Sequence, residues 1–152
     1  MPYIFAYGSN MNSVQIAARC PSSLKIQNYT LHNYKFSLPR LNASYGGGVA
    51  GIIPQEGAHV EGVVYKISDK DLKILDGFEG VDQGEYTRQR VAQITVDGQT
   101  IKIDAHIASV QHGYPFPATA SYADKILSGA KENELSKDYI ETVLVPLLTD
   151  TV

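Results

Sequence analysis

The residues of this chain best suited to chemistry lie in two short segments, one near the N-terminus and one in the middle. In the first, an apolar run beginning at Ile4 stops abruptly at the turn-forming residues Tyr7-Gly8-Ser9-Asn10. Glycine lets the backbone approach a ligand closely, and serine and asparagine favour turns and helix caps. Amide N–H groups left free at such a junction can bind an anion or an oxygen-rich group. The alternative is a plain turn between a strand and a helix.

The second segment, Leu75 to Tyr86, contains four acidic residues and three glycines immediately before a predicted strand. Glu79 is the best candidate for a general base, because Phe78 and Val81 can shield its carboxyl from water. Such shielding raises the pKa of a glutamate from its usual value of about 4.3 towards a useful range. The flanking glycines leave room for a substrate. The alternative is an acidic turn on the surface with no chemical role.

Other residues give weaker indications. Asp76 is expected only to end a helix, and Asp82 and Glu85 are expected to face water. Ser9 lacks the glycine spacing of a nucleophile elbow, so we interpret it as a binding or turn residue. No lysine and Ser/Thr follow the glycines at 46–48, which favours a turn over a phosphate-binding loop. No histidine pair has the helical spacing of a metal site, although a cluster in three dimensions stays open: His32, His59, His106 and His112.

Composition limits the class of protein. The chain has 152 residues, 43% of them hydrophobic and 19% charged, which is typical of a single globular domain spanning 1–152. A net charge of -3 with scattered Lys and Arg argues against nucleic acid and anionic membranes as partners. Cys20 is the only cysteine, so no internal disulfide forms. No apolar run approaches the ~20 residues of a membrane span, and no secretion signal is recognisable, so we expect a cytoplasmic protein.

The elements that must position the two segments are predicted to be mainly strands. A helix over Ser13 to Arg19 ends before Pro21. A helix from Asp69 to about Asp76 has Ser68 as its cap and Gly77 as its stop. Asp97-Gly98 predicts a hairpin of Tyr86 to Val96 with Thr100 to Ala108. Four further strands are predicted at Leu24 to Thr30, Tyr34 to Leu38, Val49 to Ile53 and Val60 to Ile67, and two helices at Tyr122 to Gly129 and Ser136 to Leu148.

In this order the segments resemble the γ-glutamylcyclotransferase family, small cytosolic enzymes that release 5-oxoproline from γ-glutamyl compounds. The resemblance spans almost the whole chain. Its motifs are Phe5-Ala6-Tyr7-Gly8-Ser9-Asn10, Gly47-Gly48-Val49-Ala50, Glu61-Gly62-Val63-Val64-Tyr65, the segment from Leu75 through Glu79-Gly80-Val81 to Tyr86, and Tyr122 leading into Gly129-Ala130-Lys131-Glu132-Asn133.

The resemblance implies a fold, a site and an assembly. The fold is a small mixed α/β unit of the α+β type, with a partly closed β-barrel and flanking helices. Glu79 matches the catalytic acid/base. The matching substrate-binding residues are Ile4, Phe5, Ala6, Tyr7, Gly8, Ser9, Asn10 and Tyr122. Ile4 departs from an aromatic residue of some relatives, which leaves a backbone contact there. The family's chemistry requires no metal, nucleotide or redox cofactor, and relatives commonly form homodimers.

The chemistry implied is the attack of a substrate's own α-amine on its γ-carbonyl, with Glu79 moving the protons. The leaving group stays open among amino acids, γ-glutamyl-lysine-type amines, glutathione and a carrier-bound group. The segment Gly129 to Asn133 most resembles the branch acting on γ-glutamyl amino acids. A γ-glutamylamine cyclotransferase and a non-catalytic binding or regulatory module on the same fold are the alternatives, and the presence of Glu79 argues against the second.

Overall fold

The strands of this chain form one five-stranded mixed sheet in the computed structural model, which describes residues 1–152. The strand order is β2-β3-β1-β5-β4, with β1 antiparallel to β3 and parallel to β5. The strands are β1 Tyr3–Ala6, β2 Leu24–Asn42, β3 Gly47–Lys66, β4 Tyr86–Val96 and β5 Gln99–Ala108. The predicted mixed α+β fold with flanking helices is confirmed. No ladder joins β2 to β4, so the sheet is open rather than closed into a barrel.

The four strands predicted in the first half of the chain merge into the two long strands β2 and β3. Their register shifts between His32 and Tyr34, where Asn33 has a φ of 66°. A bulge of this kind absorbs a turn-forming residue without ending the pairing, which is why the sequence signal for a break was misleading. Asn33 Oδ1 also accepts the N–H of Gly57 across the pair at 3.1 Å. The predicted turn at 46–48 is only partly correct: Gly46 ends the turn between the strands with a φ of 75°, whereas Gly47 and Gly48 already belong to β3.

Two helices flank the candidate chemistry. Helix α1 covers Ser13–Arg19 as predicted. Helix α2 covers Asp69–Phe78 and begins as predicted, since Ser68 Oγ accepts the N–H of Asp71 at 3.1 Å. The predicted stop at Gly77 is wrong, because the helix continues to Phe78. The left-handed residue that commonly follows a helix C-terminus is instead Gly80, which has a φ of 67°.

The second half of the chain follows its predicted pattern more closely. The hairpin of β4 and β5 turns at Asp97 and Gly98, both of which have positive φ as its tight turn requires. Helix α3, Ala120–Glu132, is longer than predicted. The single helix expected to follow it is instead α4, Lys137–Tyr139, a π-helical segment, Ile140–Leu144, and α5, Val145–Leu148. Pro146 has no N–H for a regular helical bond, which accounts for the irregularity beside it.

The core is one cluster of 35 buried hydrophobic residues that joins the sheet to its helices. Strand β1 lies at its centre, where Phe5 is 1% exposed. Because β1 ends after four residues while β3 and β5 extend beyond it, the middle of the sheet opens at this point. None of the helices is long and apolar enough to cross a membrane.

Candidate active site

The main pocket lies where β1 ends, between the extensions of its neighbours and the end of α2. Its volume is about 690 Å³ including the open mouth. Twenty residues line it, thirteen of them hydrophobic, so a bound polar group would be largely shielded from water. The structure brings all nine predicted site residues together here: Ile4, Phe5, Ala6, Tyr7, Gly8, Ser9, Asn10, Glu79 and Tyr122.

Glu79 reaches the pocket because it caps the C-terminus of α2. Its N–H donates to the Leu75 carbonyl at 3.0 Å, and Gly80 then turns the chain away with left-handed backbone angles. The half-buried carboxyl is held across the pocket by Asn10, whose Nδ2 donates to Oε1 at 3.0 Å. Glu79 and the N-terminal loop, 69 positions apart in sequence, are therefore joined by a hydrogen bond.

Burial raises the pKa of the Glu79 carboxyl above its ordinary value, and the nearby carboxyl of Asp76 raises it further. The positive charges of His106 and Arg19 and the hydrogen bond from Asn10 act in the opposite direction. The direction of the net shift is upward because desolvation is the largest of these effects. A carboxyl whose pKa lies closer to neutral pH can both accept and release a proton there more readily than an exposed glutamate can.

The N-terminal loop leaves two backbone donors available. Tyr7 and Gly8 connect β1 to a 3₁₀ turn, Ser9–Met11, and their N–H groups donate to no acceptor in the protein. Gly8 has a φ of -120°, which other residues also adopt, so its backbone angle alone does not require glycine. A side chain there would instead approach Ala50, with 3.1 Å between the two Cβ atoms. Both free amides belong to residues that line the pocket.

Polar side chains from α1 fix the same loop. Gln15 Nε2 donates to Ser9 Oγ at 2.7 Å and to Asn10 Oδ1 at 3.1 Å. Arg19 Nη1 also donates to Asn10 Oδ1, at 3.0 Å. Asn10 Oδ1 thus accepts two hydrogen bonds from α1, and Nδ2 donates one to Glu79, so this side chain links α1 to the Glu79 carboxyl. Ser9 is held in the loop by Gln15, in keeping with its interpretation as a turn or binding residue.

Three buried tyrosines form part of the pocket wall. Tyr122 Oη accepts the N–H of Ala50 at 3.0 Å, and Tyr86 Oη donates to the Ala50 carbonyl at 2.5 Å. Tyr7 Oη donates to the carbonyl of His106 at 2.5 Å. Burial is the main cause that raises the pKa of all three phenols, and the negative charge of Glu79 adds to it. These hydroxyls therefore stay protonated and the wall stays neutral.

Sequence reasoning missed several residues that line the pocket, namely Arg19, Asn42, Tyr45, Tyr86 and His106. No local pattern brings the strand residues to the site, because strand pairing and curvature place them there. Arg19 had a signal: it lies four residues after Gln15 on α1, and that spacing puts two polar side chains on one helix face.

The other acids of the central segment lie outside the pocket, so Glu79 is the only acidic residue that lines it. Asp76, expected only to end the helix, instead lies 2.7 Å from His106 Nε2 and 3.2 Å from Arg88 Nε. Asp82 is exposed as expected. Glu85, expected to face water, is half-buried and lines a second, neighbouring cavity.

Comparison with known proteins identifies the family of this chain. Residues 4–124 match the family described as gamma-glutamyl cyclotransferase, AIG2-like. The chain is 32% identical to human gamma-glutamylcyclotransferase over 142 residues, covering 90% of this chain and 74% of the human protein. It is 33% identical to the bovine protein of the same name over 139 residues, covering 89% and 73%.

A solved structure of a gamma-glutamyl cyclotransferase has the same fold. It superposes with a TM-score of 0.82 at 28% identity, covering 93% of this chain and 87% of that protein. The fold and these relatives define an enzyme of the cyclotransferase type. The chain belongs to the gamma-glutamyl cyclotransferase, AIG2-like family.

Proposed function

We propose that this chain releases 5-oxoproline and a free amino acid from γ-glutamyl amino acids, with Glu79 as the general acid/base. The observation that carries the proposal is the hydrogen bond between Asn10 Nδ2 and Glu79 Oε1, 3.0 Å long. It joins the N-terminal loop to a half-buried carboxyl across one pocket. A site that only bound a ligand would gain nothing from a carboxyl with a raised pKa, so this arrangement favours catalysis over a binding or regulatory module.

The reaction starts from a substrate whose α-amine is mainly an ammonium ion. Glu79 accepts one proton from it, and the freed amine attacks the γ-carbonyl carbon of the same molecule. A new C–N bond closes the five-membered ring, and the bond to the leaving nitrogen then breaks. Glu79 passes its proton to that nitrogen as the bond breaks. The ring nitrogen, which still carries two hydrogens after the attack, then releases one of them through the same carboxylate to the departing amine, which leaves as an ammonium ion, so the enzyme ends the cycle as it began. A single carboxyl suffices because the proton transfers occur in turn.

Positioning is the second contribution of the site. The substrate must fold back so that its amine lies over its own carbonyl, and well-oriented reactions within one molecule gain up to ~7 to 11 kcal/mol. The free N–H groups of Tyr7 and Gly8 support two assignments. They can hold the α-carboxylate of the substrate or the oxyanion that develops during attack. The apolar residues Ile4, Phe5 and Ala6 and the ring of Tyr122 form the walls that shape the folded substrate.

Replacement of Glu79 by glutamine tests the role of the acid. We expect Glu79→Gln to fold normally and to lose at least ~10²-fold in turnover, as a deleted general base does. The measurement is 5-oxoproline formation from γ-glutamyl-alanine, γ-glutamyl-ε-lysine and glutathione, each incubated separately with purified protein.

The matched control is Asp82→Asn, which neutralises an exposed acid outside the pocket and should keep full activity. Near-normal turnover by the Glu79→Gln variant would move the role to Asp76 or Glu85. Failure of the unmodified protein to form 5-oxoproline from any of the three substrates would contradict the proposed function itself.

The homodimer and the cytoplasmic location implied by the family resemblance stay predictions for this chain. A small-molecule γ-glutamyl substrate is the partner on which the proposal depends, and the chemistry above involves no cofactor.

A further inference from the structure

Arg19 is a positively charged residue of the pocket that has no acidic partner. It lies half-buried at the end of α1, and no Asp or Glu oxygen is within ion-pair distance of its guanidinium. Its recorded contacts are neutral. Nη1 donates to Asn10 Oδ1 at 3.0 Å, Nη2 donates to Tyr45 Oη at 2.5 Å, and Cζ lies 4.5 Å from the centre of the Phe78 ring.

The guanidinium is well placed to bind an anion. It has five N–H donors, and the two bonds to Asn10 and Tyr45 leave others unused. A partly desolvated cation is stabilised most by a carboxylate, which can accept two of its N–H groups side by side. The Phe78 ring restricts the guanidinium plane from one face, so the group is already oriented before a ligand arrives.

The position of Arg19 indicates which part of the substrate it meets. A second cavity adjoins this pocket, and the two share Asn42, Tyr45 and Phe78. Two of these shared walls are the side chains that Arg19 contacts. The γ-glutamyl group would lie against the N-terminal loop and Glu79. The leaving group would then extend past the shared residues towards the second cavity. Arg19 stands beside that path.

The position of the carboxylate in the leaving group also supports a contact with Arg19. In a γ-glutamyl amino acid, the carboxylate of the leaving group is attached to the carbon that carries the scissile nitrogen. Glu79 must protonate that nitrogen, and only the amide of Asn10 separates the Glu79 carboxyl from the guanidinium. A carboxylate so close to the nitrogen is within reach of Arg19, whereas a simple amine leaving group has no anion to offer it.

We propose that Arg19 is a specificity-determining residue that binds the carboxylate of the leaving amino acid and so favours γ-glutamyl amino acids over γ-glutamyl amines. This inference rests on the proposed function, because it concerns the leaving group of the same reaction. The residue also holds Asn10, so the test must separate recognition of the leaving group from support of the catalytic loop.

Two substrates that differ only in the carboxylate make that separation. γ-Glutamyl-alanine and γ-glutamyl-ethylamide have the same leaving-group skeleton apart from this group. We expect the unmodified enzyme to prefer γ-glutamyl-alanine by at least about tenfold in kcat/KM, as the loss of a charge-assisted hydrogen bond implies. Arg19→Gln also removes a hydrogen bond to Asn10 and a charge that lowers the pKa of Glu79, so we expect kcat/KM to fall for both substrates. The decisive readout is the ratio of the two values: the preference for γ-glutamyl-alanine should fall by about tenfold, through a rise in KM that the ethylamide does not show.

The control variant is Arg90→Gln, which removes an exposed arginine of the hairpin outside both cavities and should leave both values unchanged. An equal loss with both substrates would assign Arg19 to the shared γ-glutamyl group or to Asn10 and overturn the inference. The lack of any preference in the unmodified enzyme would overturn it without relying on a variant. In both cases the proposed function would stand, whereas the absence of 5-oxoproline from every substrate would contradict the function as well.

Discussion

At Glu79 opposing influences act on one carboxyl. Burial in the pocket disfavours its charged form, while the positive charges of His106 and Arg19 and the Asn10 amide favour it. A fully exposed glutamate would stay ionised and accept a proton poorly, and an isolated buried one would stay protonated at neutral pH. The pKa of the Glu79 carboxyl is therefore set by the surrounding residues and not by the residue type alone.

The pH dependence of activity tests this balance. A general base must be ionised, so kcat/KM should fall as the pH drops through the pKa of Glu79, and burial places this limb above the ordinary range. His106→Gln removes the ring whose electrostatic effect on Glu79 lowers this pKa, while glutamine can still donate to Asp76. We therefore expect the acidic limb to move to higher pH in profiles measured from about pH 4 to 8.

The control for this prediction is His32→Gln, which changes an exposed histidine on β2 outside the pocket. Its profile should match that of the unmodified enzyme. An acidic limb that stays in place or moves to lower pH in His106→Gln would show that the charge of His106 does not act on Glu79.

At the scale of elements, the site depends on how helices end and how closely they pack. Gly80 ends α2 one residue after Glu79, and a Cβ there would lie 2.1 Å from Glu85 Oε2. Helix α3 packs directly on the N-terminal loop at Gly129, where Asn133 Nδ2 also donates to the Met11 carbonyl at 2.9 Å. The loop that carries the free amides is thus fixed by α3 as well as by α1.

Gly129→Ala tests the packing of α3 on the loop. An added Cβ would lie 2.6 Å from Asn12 N and from the Met11 carbonyl carbon, and backbone atoms cannot move aside as a flexible side chain can. We expect the free energy of unfolding to fall by about 1–3 kcal/mol, as overpacking typically causes, and activity to fall because the loop shifts. Chemical denaturation and 5-oxoproline formation measure the two effects.

Lys125→Ala is the matched control, because it introduces the same residue at an exposed position of the same helix. Its free energy of unfolding should change by no more than about 0.5 kcal/mol. Equal stability of Gly129→Ala and the unmodified protein would mean that the contact between α3 and the loop is looser than the structure indicates.

At the scale of the whole molecule, the site is built from the two halves of the chain at once. The loop and α1 come from the first 19 residues, Glu79 from the middle, and Tyr122 from α3. All of these parts pack on one cluster of 35 buried hydrophobic residues. A site assembled in this way exists only when the entire core is folded.

We therefore expect residues 1–152 to unfold as a single cooperative unit. Far-ultraviolet circular dichroism reports the helices and sheet, and fluorescence reports the ten tyrosines in a chain without tryptophan. The two signals should change together in urea, as two-state unfolding requires. Separate transitions would mean that the long β2–β3 pair or the C-terminal helices form an independent unit.

Most of the elements could be predicted because their signals are local. The cap of α2 at Ser68, the end of α1 before Pro21 and the turn at Asp97-Gly98 each depend on a few neighbouring residues. The long strands β2 and β3 could not be predicted, because pairing across the sheet continued through turn-forming residues such as Asn33. Likewise, Gly77 and Gly80 both have the residue type of a helix stop, and only the structure shows that Gly80 has the left-handed conformation after α2.

The sequence by itself determined the family, the mixed α+β class and the identity of the candidate acid, since these depend on residue types in a fixed order. Only the tertiary structure decided that Asn10 holds Glu79, that Asp76 contacts His106, and that Arg19 enters the pocket without an acidic partner. The physical reason is that these contacts join residues up to 69 positions apart through side chains on different elements. Their geometry follows from how the sheet opens at the end of β1, which no local pattern encodes.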